Sequence, residues 1–141
     1  MTRPMNTLVC FAALAFAGGC GDDGAAATDT GDGGGGTTIP EEVSFARDVA
    51  PITSSACASC HTADASGGFA DADTHAGWMD SSSTGLPYCS PGDLDGSYGY
   101  LKIVGAQGDA GGGGAQMPTT GALSSADEAM IEAWVLDGCL P

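Results

Sequence analysis

Positive charge is scarce in this 141-residue chain, which has 3 lysine and arginine residues against 18 aspartate and glutamate residues. Only two of the basic residues, Arg47 and Lys102, lie after residue 20, whereas all 18 acidic residues do. The sequence therefore lacks the basic footprint that binding to nucleic acid or to anionic lipid requires. Its negative charge either steers the chain toward a basic partner or only keeps it soluble.

Large apolar residues and strand patterns are also sparse. Aromatic residues make up 6% of the chain, and no segment alternates apolar and polar residues convincingly as a strand. There are no internal repeats and no alternation of strands with helices. Side-chain burial alone would scarcely offset the entropy of ordering such a chain, so a large apolar cofactor inside the fold is expected.

The N-terminus has the pattern of an export signal. Residues 1–19 contain a positive start at Arg3 and then a short apolar run, which predicts a secretory signal peptide rather than a spanning helix. The small residues AGG directly before Cys20 resemble the bacterial lipobox, in which the cysteine is acylated and becomes the mature first residue. An ordinary signal peptide with a chance cysteine is the alternative.

A tether is expected to follow the lipidated Cys20, so that residues 20–38 form one anchoring segment. Residues 21–38 have no aromatic and no large aliphatic residue, and their glycine content is typical of a flexible linker. A single folded domain is therefore predicted over residues 39–141.

The first helical signal lies in VSFARDVAPITSSACASCH. Phe45, Val49 and Ile52 recur at helical spacing, which predicts one buried stripe, and Ser44 is the expected N-terminal cap. Pro51 lacks a backbone N–H and is expected to kink or interrupt this helix.

Two further segments and one weaker one indicate helices. SYGYLKIVG places Tyr98 and Leu101 on one face and Gly105 at the end. LSSADEAMIEAWVLDGCLP begins with Ser124 or Ser125 as a cap, and DTHAGWMD is the weaker candidate. The expected buried stripe of the last helix is Ile131, Trp134 and Val135, with Gly138 as its stop. Three to four helices joined by long loops predict an all-α domain.

Cys57, Cys60 and His61 form the pattern Cys-x-x-Cys-His, which is the attachment motif for c-type haem. The two thiols add to the two vinyl groups on one porphyrin edge, and the next residue directs its imidazole at the iron. Two intervening residues in a helical turn place both sulfurs on that edge. The predicted cofactor is one covalent haem c, and the export signal agrees because this attachment takes place outside the cytoplasm.

Other cofactors fit the motif less well. Zinc needs four ligands, and a histidine directly after Cys60 is poorly placed to share a tetrahedral ion. A thioredoxin-like redox pair would accompany strand–helix–strand alternation, which is absent. The aspartate-rich DADTHAG and DLDG do not match a calcium-binding loop.

The sixth iron ligand is predicted to be Met117, which follows a glycine-rich loop and precedes Pro118. A thioether there would complete the coordination and raise the reduction potential. Met79 and Met130 are rivals, although both are expected to be core residues. His75 would instead give a bis-histidine haem.

The remaining cysteines suggest a disulfide. Cys10 leaves with the signal peptide and Cys20 takes the lipid, so Cys89 and Cys139 are left over. In an oxidising exported compartment these two can pair. Two unpaired buried thiols are the alternative.

These features together resemble a small monohaem class I c-type cytochrome, similar to the domains carried on bacterial secreted lipoproteins. The resemblance rests on FARDVAPITSSACASCH, PGDLDGSYGYLKIVG, QMP and LSSADEAMIEAWVLDGC. It implies a cytochrome c-like fold whose first and last helices cross beside the haem, with Phe45 and Trp134 near that crossing. It also implies thioether roles for Cys57 and Cys60, and axial roles for His61 and Met117. The chain departs from the simplest members in having Cys89 and Cys139.

The function implied by this resemblance is one-electron transfer between redox donor and acceptor proteins with basic docking surfaces. No enzymatic activity is expected. The domain would lie in the periplasm or at the cell surface, bound to a membrane through its lipid anchor only. A haem-based sensor or small-ligand binder is the alternative, and a non-haem exported binding module stapled by its cysteines is a third possibility.

Overall fold

The computed structural model describes residues 38–63 and 68–141. The predicted signal peptide, Cys20 and nearly all of the tether lie outside these residues. Within them the regular structure is helical, apart from an isolated bridge between Ser81 and Pro87. No helix in the described part is long and apolar enough to cross a bilayer.

Five helical segments lie within residues 38–63 and 68–141. They are a π-helical turn at Phe45–Val49, α1 at Ala50–Ala56, α2 at His75–Trp78, α3 at Tyr98–Val104 and α4 at Ser125–Leu136. The sequence predicted the location of each, and long loops at residues 79–97 and 105–124 join the last three.

Pro51 explains the change of helix type in the first segment. The N–H of Ala50 bonds to the carbonyl of Phe45, five residues back, and the chain then enters α1 with Pro51 in its first turn. The proline ring would collide with the carbonyl four residues earlier in a regular helix, and a widened turn avoids this. The helix is therefore not interrupted at Pro51, as it runs without a break from Phe45 to Ala56 and changes type one residue before the proline.

Ser44 occupies the N-cap position, but its side chain forms no capping bond, so that part of the expectation is wrong. The Asp48 carboxylate accepts the N–H of Ser44 instead, at 2.9 Å. This bond pairs the backbone N–H of the N-cap residue itself, whereas a serine cap would have accepted the N–H of a residue in the first helical turn.

Helix α4 agrees closely with its prediction. The Ser124 hydroxyl accepts the N–H of Asp127 at 3.1 Å, and the two side chains also bond to each other. Ile131, Trp134 and Val135 are fully buried. Gly138 adopts a φ of 98°, which an L-residue rarely accepts, two residues beyond the end of the helix.

The core joins the two ends of the folded chain. The rings of Phe45 and Trp134 lie 5.5 Å apart, and Trp78 packs edge-on against Trp134 at 5.7 Å. The backbone N–H of Phe45 donates to Leu140 at 2.8 Å, and the N–H of Val43 reaches the Asp137 carboxylate at the same distance. Phe45 and Trp134, which were both expected near the crossing of the first and last helices, are thus in contact with each other.

Cys89 and Cys139 form the predicted disulfide, with their Cα atoms 6.4 Å apart and a separation of 50 positions in sequence. Both cysteines are buried. The bond fastens the chain just beyond α4 to the loop that precedes α3.

Candidate functional site

A cavity of about 480 Å³ lies where the end of α1, α3 and the loop at residues 113–120 meet. This volume falls within the range of small-molecule and cofactor sites. Cys57, Cys60 and His61 line the cavity, and so does Met117, which is 56 residues beyond His61. The fold therefore brings together the four residues that the sequence singled out.

The three motif residues lie in one tight turn directly after α1. The N–H of Cys57 donates to Thr53 at 2.8 Å as the helix ends. The carbonyl of Cys57 then accepts the N–H groups of both Cys60, at 3.1 Å, and His61, at 3.0 Å. The two sulfur-bearing residues and the imidazole are thereby fixed within a single turn.

His61 is held in one orientation by the backbone. Its Nδ1 atom lies 3.0 Å from the carbonyl oxygen of Phe69. A carbonyl only accepts, so Nδ1 carries the hydrogen and Nε2 is left with a free lone pair. Histidines that bind metals usually donate their second ring nitrogen to such a group.

The two motif thiols are not bonded to each other. Burial raises the pKa of the Cys57 thiol to about 11, and the neighbouring Cys60 adds to the rise. Reactive redox cysteines have lowered pKa values, because the thiolate is the attacking species. The environment of Cys57 therefore does not favour a thioredoxin-like redox role.

Clusters of metal-binding side chains were also sought in the described residues. Across residues 38–63 and 68–141, no group of three or more His, Cys, Asp or Glu side chains is arranged to hold a metal ion.

Aromatic side chains form much of the cavity wall. Phe69 lies 4.1 Å from Tyr88 and 5.1 Å from Trp78 between ring centroids. The polar atoms of two of these rings have hydrogen-bond partners, since Trp78 Nε1 donates to Ala72 at 2.9 Å and the Tyr88 hydroxyl donates to Gly68. The wall is therefore suited to a flat apolar group.

Glycine is required where the backbone passes close to this wall. A Cβ on Gly99 would lie 2.6 Å from the Trp78 ring and 2.8 Å from the Tyr88 carbonyl. A Cβ on Gly112 would lie 2.3 Å from the Tyr98 hydroxyl. All three distances are shorter than real Cβ contacts, so these glycines let α3 approach Trp78 and let the glycine-rich loop approach Tyr98.

The rivals of Met117 lie elsewhere. Met79 is 40% exposed, which corrects the expectation that it is a core residue, and it does not line the cavity. Met130 packs against the core on α4, as expected. His75 is also absent from the cavity wall, because its Nε2 lies 2.7 Å from the carbonyl of Cys139.

Sequence reasoning missed the roles of Phe69, Trp78 and Tyr88 in the cavity wall. Phe69 and Tyr88 come from irregular segments and Trp78 from a four-residue helix, so no helical periodicity links them. The shortage of large apolar residues was the one signal available, because it indicated that the few aromatics present would surround a cofactor.

No protein-family model, no curated protein and no solved structure matches this chain. The assignment of the site therefore depends on the residues and their geometry.

Proposed function

We propose that this chain is an exported one-electron carrier with a cytochrome c-like domain and one covalent haem c. The observation that carries the proposal is the single cavity lined by Cys57, Cys60, His61 and Met117. These residues are the attachment thiols and the two axial ligands that a haem of this type requires.

The residues present fit such a group. Cys57 and Cys60 are unbonded thiols within one turn, available for two thioether links to one porphyrin edge. His61 has its Nδ1 atom engaged by Phe69, so its Nε2 is free to act as a ligand. The aromatic wall offers an apolar enclosure, which also meets the shortage of large apolar residues elsewhere in the chain.

Each residue has a distinct part in the proposed site. Cys57 and Cys60 would hold the haem covalently, and His61 and Met117 would be the ligands of its iron. The bound group supplies a one-electron Fe(III)/Fe(II) couple. A thioether ligand from Met117 would favour the reduced state and so raise the potential. Phe69, Trp78 and Tyr88 line the cavity and would limit the access of water to the bound group.

Export and anchoring belong to the same proposal. Residues 1–19 direct secretion, Cys20 is acylated, and the tether through residue 38 lets the domain move above the membrane. The disulfide between Cys89 and Cys139 supports an oxidising compartment. The excess of acidic residues suits donor and acceptor proteins with basic docking surfaces.

The deciding experiment is expression with the haem-attachment machinery, followed by a pyridine haemochrome spectrum and the mass of the denatured protein. One covalent haem per chain is the expected result. The double variant Cys57→Ala/Cys60→Ala should lack the added mass and remain largely unfolded. Its matched control, Cys89→Ala/Cys139→Ala, should keep the haem. A wild-type chain that emerges without haem under these conditions would end the proposal.

Small-ligand binding is a second candidate. It is favoured by the loop that carries Met117, which contains seven glycines between residues 105 and 121 and therefore has a high entropic cost of staying closed. Ready binding of carbon monoxide by the reduced wild-type protein would favour this candidate over the electron carrier.

A further inference from the structure

The loop that carries Met117 is held against α3 by polar groups of only a few residues, and Lys102 contributes most of them. The Lys102 ammonium donates to the carbonyl of Gly113 at 3.1 Å and to that of Ala115 at 2.5 Å. The backbone carbonyl of the same residue accepts the N–H of Met117 at 2.8 Å. One residue of α3 thus contacts three positions of the loop.

The hydrogen-bond partners of the Lys102 side chain are unusual for such an acidic chain. It is the only lysine in a sequence with 18 carboxylates. Nevertheless, the one ion pair in the described residues joins Arg47 to Asp48, and Lys102 donates to uncharged carbonyl oxygens instead. A role in solubility or charge balance would not explain why Lys102 binds uncharged carbonyl oxygens. A role in holding the loop that contains those carbonyls would explain it.

The contacted residues are themselves part of the cavity wall. Gly113, Ala115 and Met117 all line the cavity, together with Lys102. The other side-chain hydrogen bonds that hold this loop have uncharged donors. The Gln116 amide donates to the carbonyl of Ile103 at 2.6 Å, and the Gln107 amide donates to that of Gly114 at 2.8 Å. Hydrogen bonds with a charged donor are roughly twice as strong as neutral ones, so Lys102 makes the dominant contact.

We propose that Lys102 is a positioning residue that holds Met117 at the cavity wall by binding the two carbonyls of the preceding loop. This inference deepens the proposed function, because it names the device that keeps the distal iron position closed. A loop with seven glycines loses much conformational entropy when it is ordered, so additional contacts are needed to hold it in place.

Lys102→Met tests the proposal in the full-length protein as isolated with its haem. The side chain keeps its bulk but loses every donor, so the loop should open more often. We expect the oxidised protein to bind added imidazole about tenfold more tightly, the change expected on losing a charged hydrogen-bond donor. Hydrogen exchange at the Met117 amide should accelerate by a similar factor, while exchange within α4 should not change.

Two companion variants separate positioning from general effects. Lys102→Arg keeps the charge and the donors and should restore most of the wild-type imidazole affinity. Arg47→Gln removes the other basic side chain, which contacts Asp48 and not the loop, and should leave both readouts unchanged. If Lys102→Met does not fold, Lys102→Gln, which is too short to reach both carbonyls, replaces it.

The outcomes distinguish the two proposals. A wild-type chain without haem overturns the proposed function, and the exchange rate at Met117 then still decides the role of Lys102. If Lys102→Met lowers thermal stability but alters neither imidazole affinity nor Met117 exchange, Lys102 is only a structural residue and the inference is wrong.

Discussion

The Nε2 atom of His75 lies 2.7 Å from the carbonyl oxygen of Cys139, next to the disulfide. This histidine also packs edge-on against Phe45 and Trp134, at ring-centroid distances of 5.9 and 6.2 Å. It therefore links α2 to the chain just beyond α4, and it is engaged at the core rather than at the cavity.

His75→Ala is accordingly expected to destabilise the fold without altering iron ligation. Losing the hydrogen bond to Cys139 and leaving that carbonyl without a partner should cost about 1–3 kcal/mol. Denaturant unfolding measures the loss, and the absorption spectrum of the oxidised protein reports ligation. A changed spectrum in His75→Ala would restore the bis-histidine alternative.

The disulfide is expected to be a major source of stability. In the chain-entropy model, a crosslink over 50 residues contributes about 4 kcal/mol, although strain and denatured-state structure often reduce the measured value. Cys89→Ser/Cys139→Ser should lower the free energy of unfolding by up to this amount. Thiol labelling of the denatured, unreduced protein checks the bond directly, because two labelled cysteines at positions 89 and 139 would contradict it.

Met117→Ala is expected to open the distal iron position. The reduction potential should fall and the reduced protein should bind carbon monoxide, because a thioether ligand that favours the reduced iron is lost. Met79→Ala is the matched control, since that side chain is 40% exposed and lies outside the cavity wall. Wild-type ligation in Met117→Ala, together with its loss in Met79→Ala, would transfer the role to Met79.

A tyrosine provides a pH-dependent contact between α3 and α4. The Tyr100 hydroxyl donates to Glu132 at 3.0 Å. Burial, and then the bond to Glu132, raise the pKa of Tyr100 to about 12 from an ordinary value of 10.0. The folded state therefore favours the protonated phenol, and this contribution is complete below pH 10 and is lost as the pH rises through about 12.

Tyr100→Phe should remove this dependence. Its stability relative to wild type should be lower at pH 8 and should approach wild type above pH 12, as measured by denaturant unfolding across that range. The tyrosine absorbance change near 295 nm should also lose its latest-titrating component. A wild-type protein whose three tyrosines all titrate near pH 10 would contradict the assignment.

Cys20→Ser tests the anchor. Two or more acyl chains give stable membrane attachment where one gives only marginal binding. The variant should therefore move from the membrane to the soluble fraction, with its haem content unchanged. Retention in the membrane would show that residue 20 is not the attachment point.

The sequence predicted the helix ends best, because a capping residue or a glycine acts on the backbone next to it. Ser124 and Gly138 mark the ends of α4, and Gly105 ends α3 in a left-handed conformation. Ser44 forms no side-chain capping bond, and the side-chain contact at this end of the helix comes from Asp48, whose carboxylate accepts the Ser44 N–H.

The cavity wall was less predictable. Placing Met117 beside His61 depended on a motif, and the structure brings both to one cavity. Phe69 and Tyr88, in contrast, reach that cavity from irregular segments whose path is set by tertiary contacts. Exposure of Met79 likewise follows from how four-residue α2 is oriented, which helical periodicity over so short a segment does not specify.

The hydrogen bonds from Val43 to Asp137 and from Phe45 to Leu140 join the start of the folded region to its end, so they form only after the whole domain has been made. Their partners are 94 and 95 residues apart, so the first helical segment finds its place only when the last five residues are available. A chain that emerges from its N-terminus first therefore presents the turn at residues 57–61 before the core can close around it. The thiols of Cys57 and Cys60 are accessible for modification during that interval, and in the folded domain Cys60 is still exposed while Cys57 is partly buried.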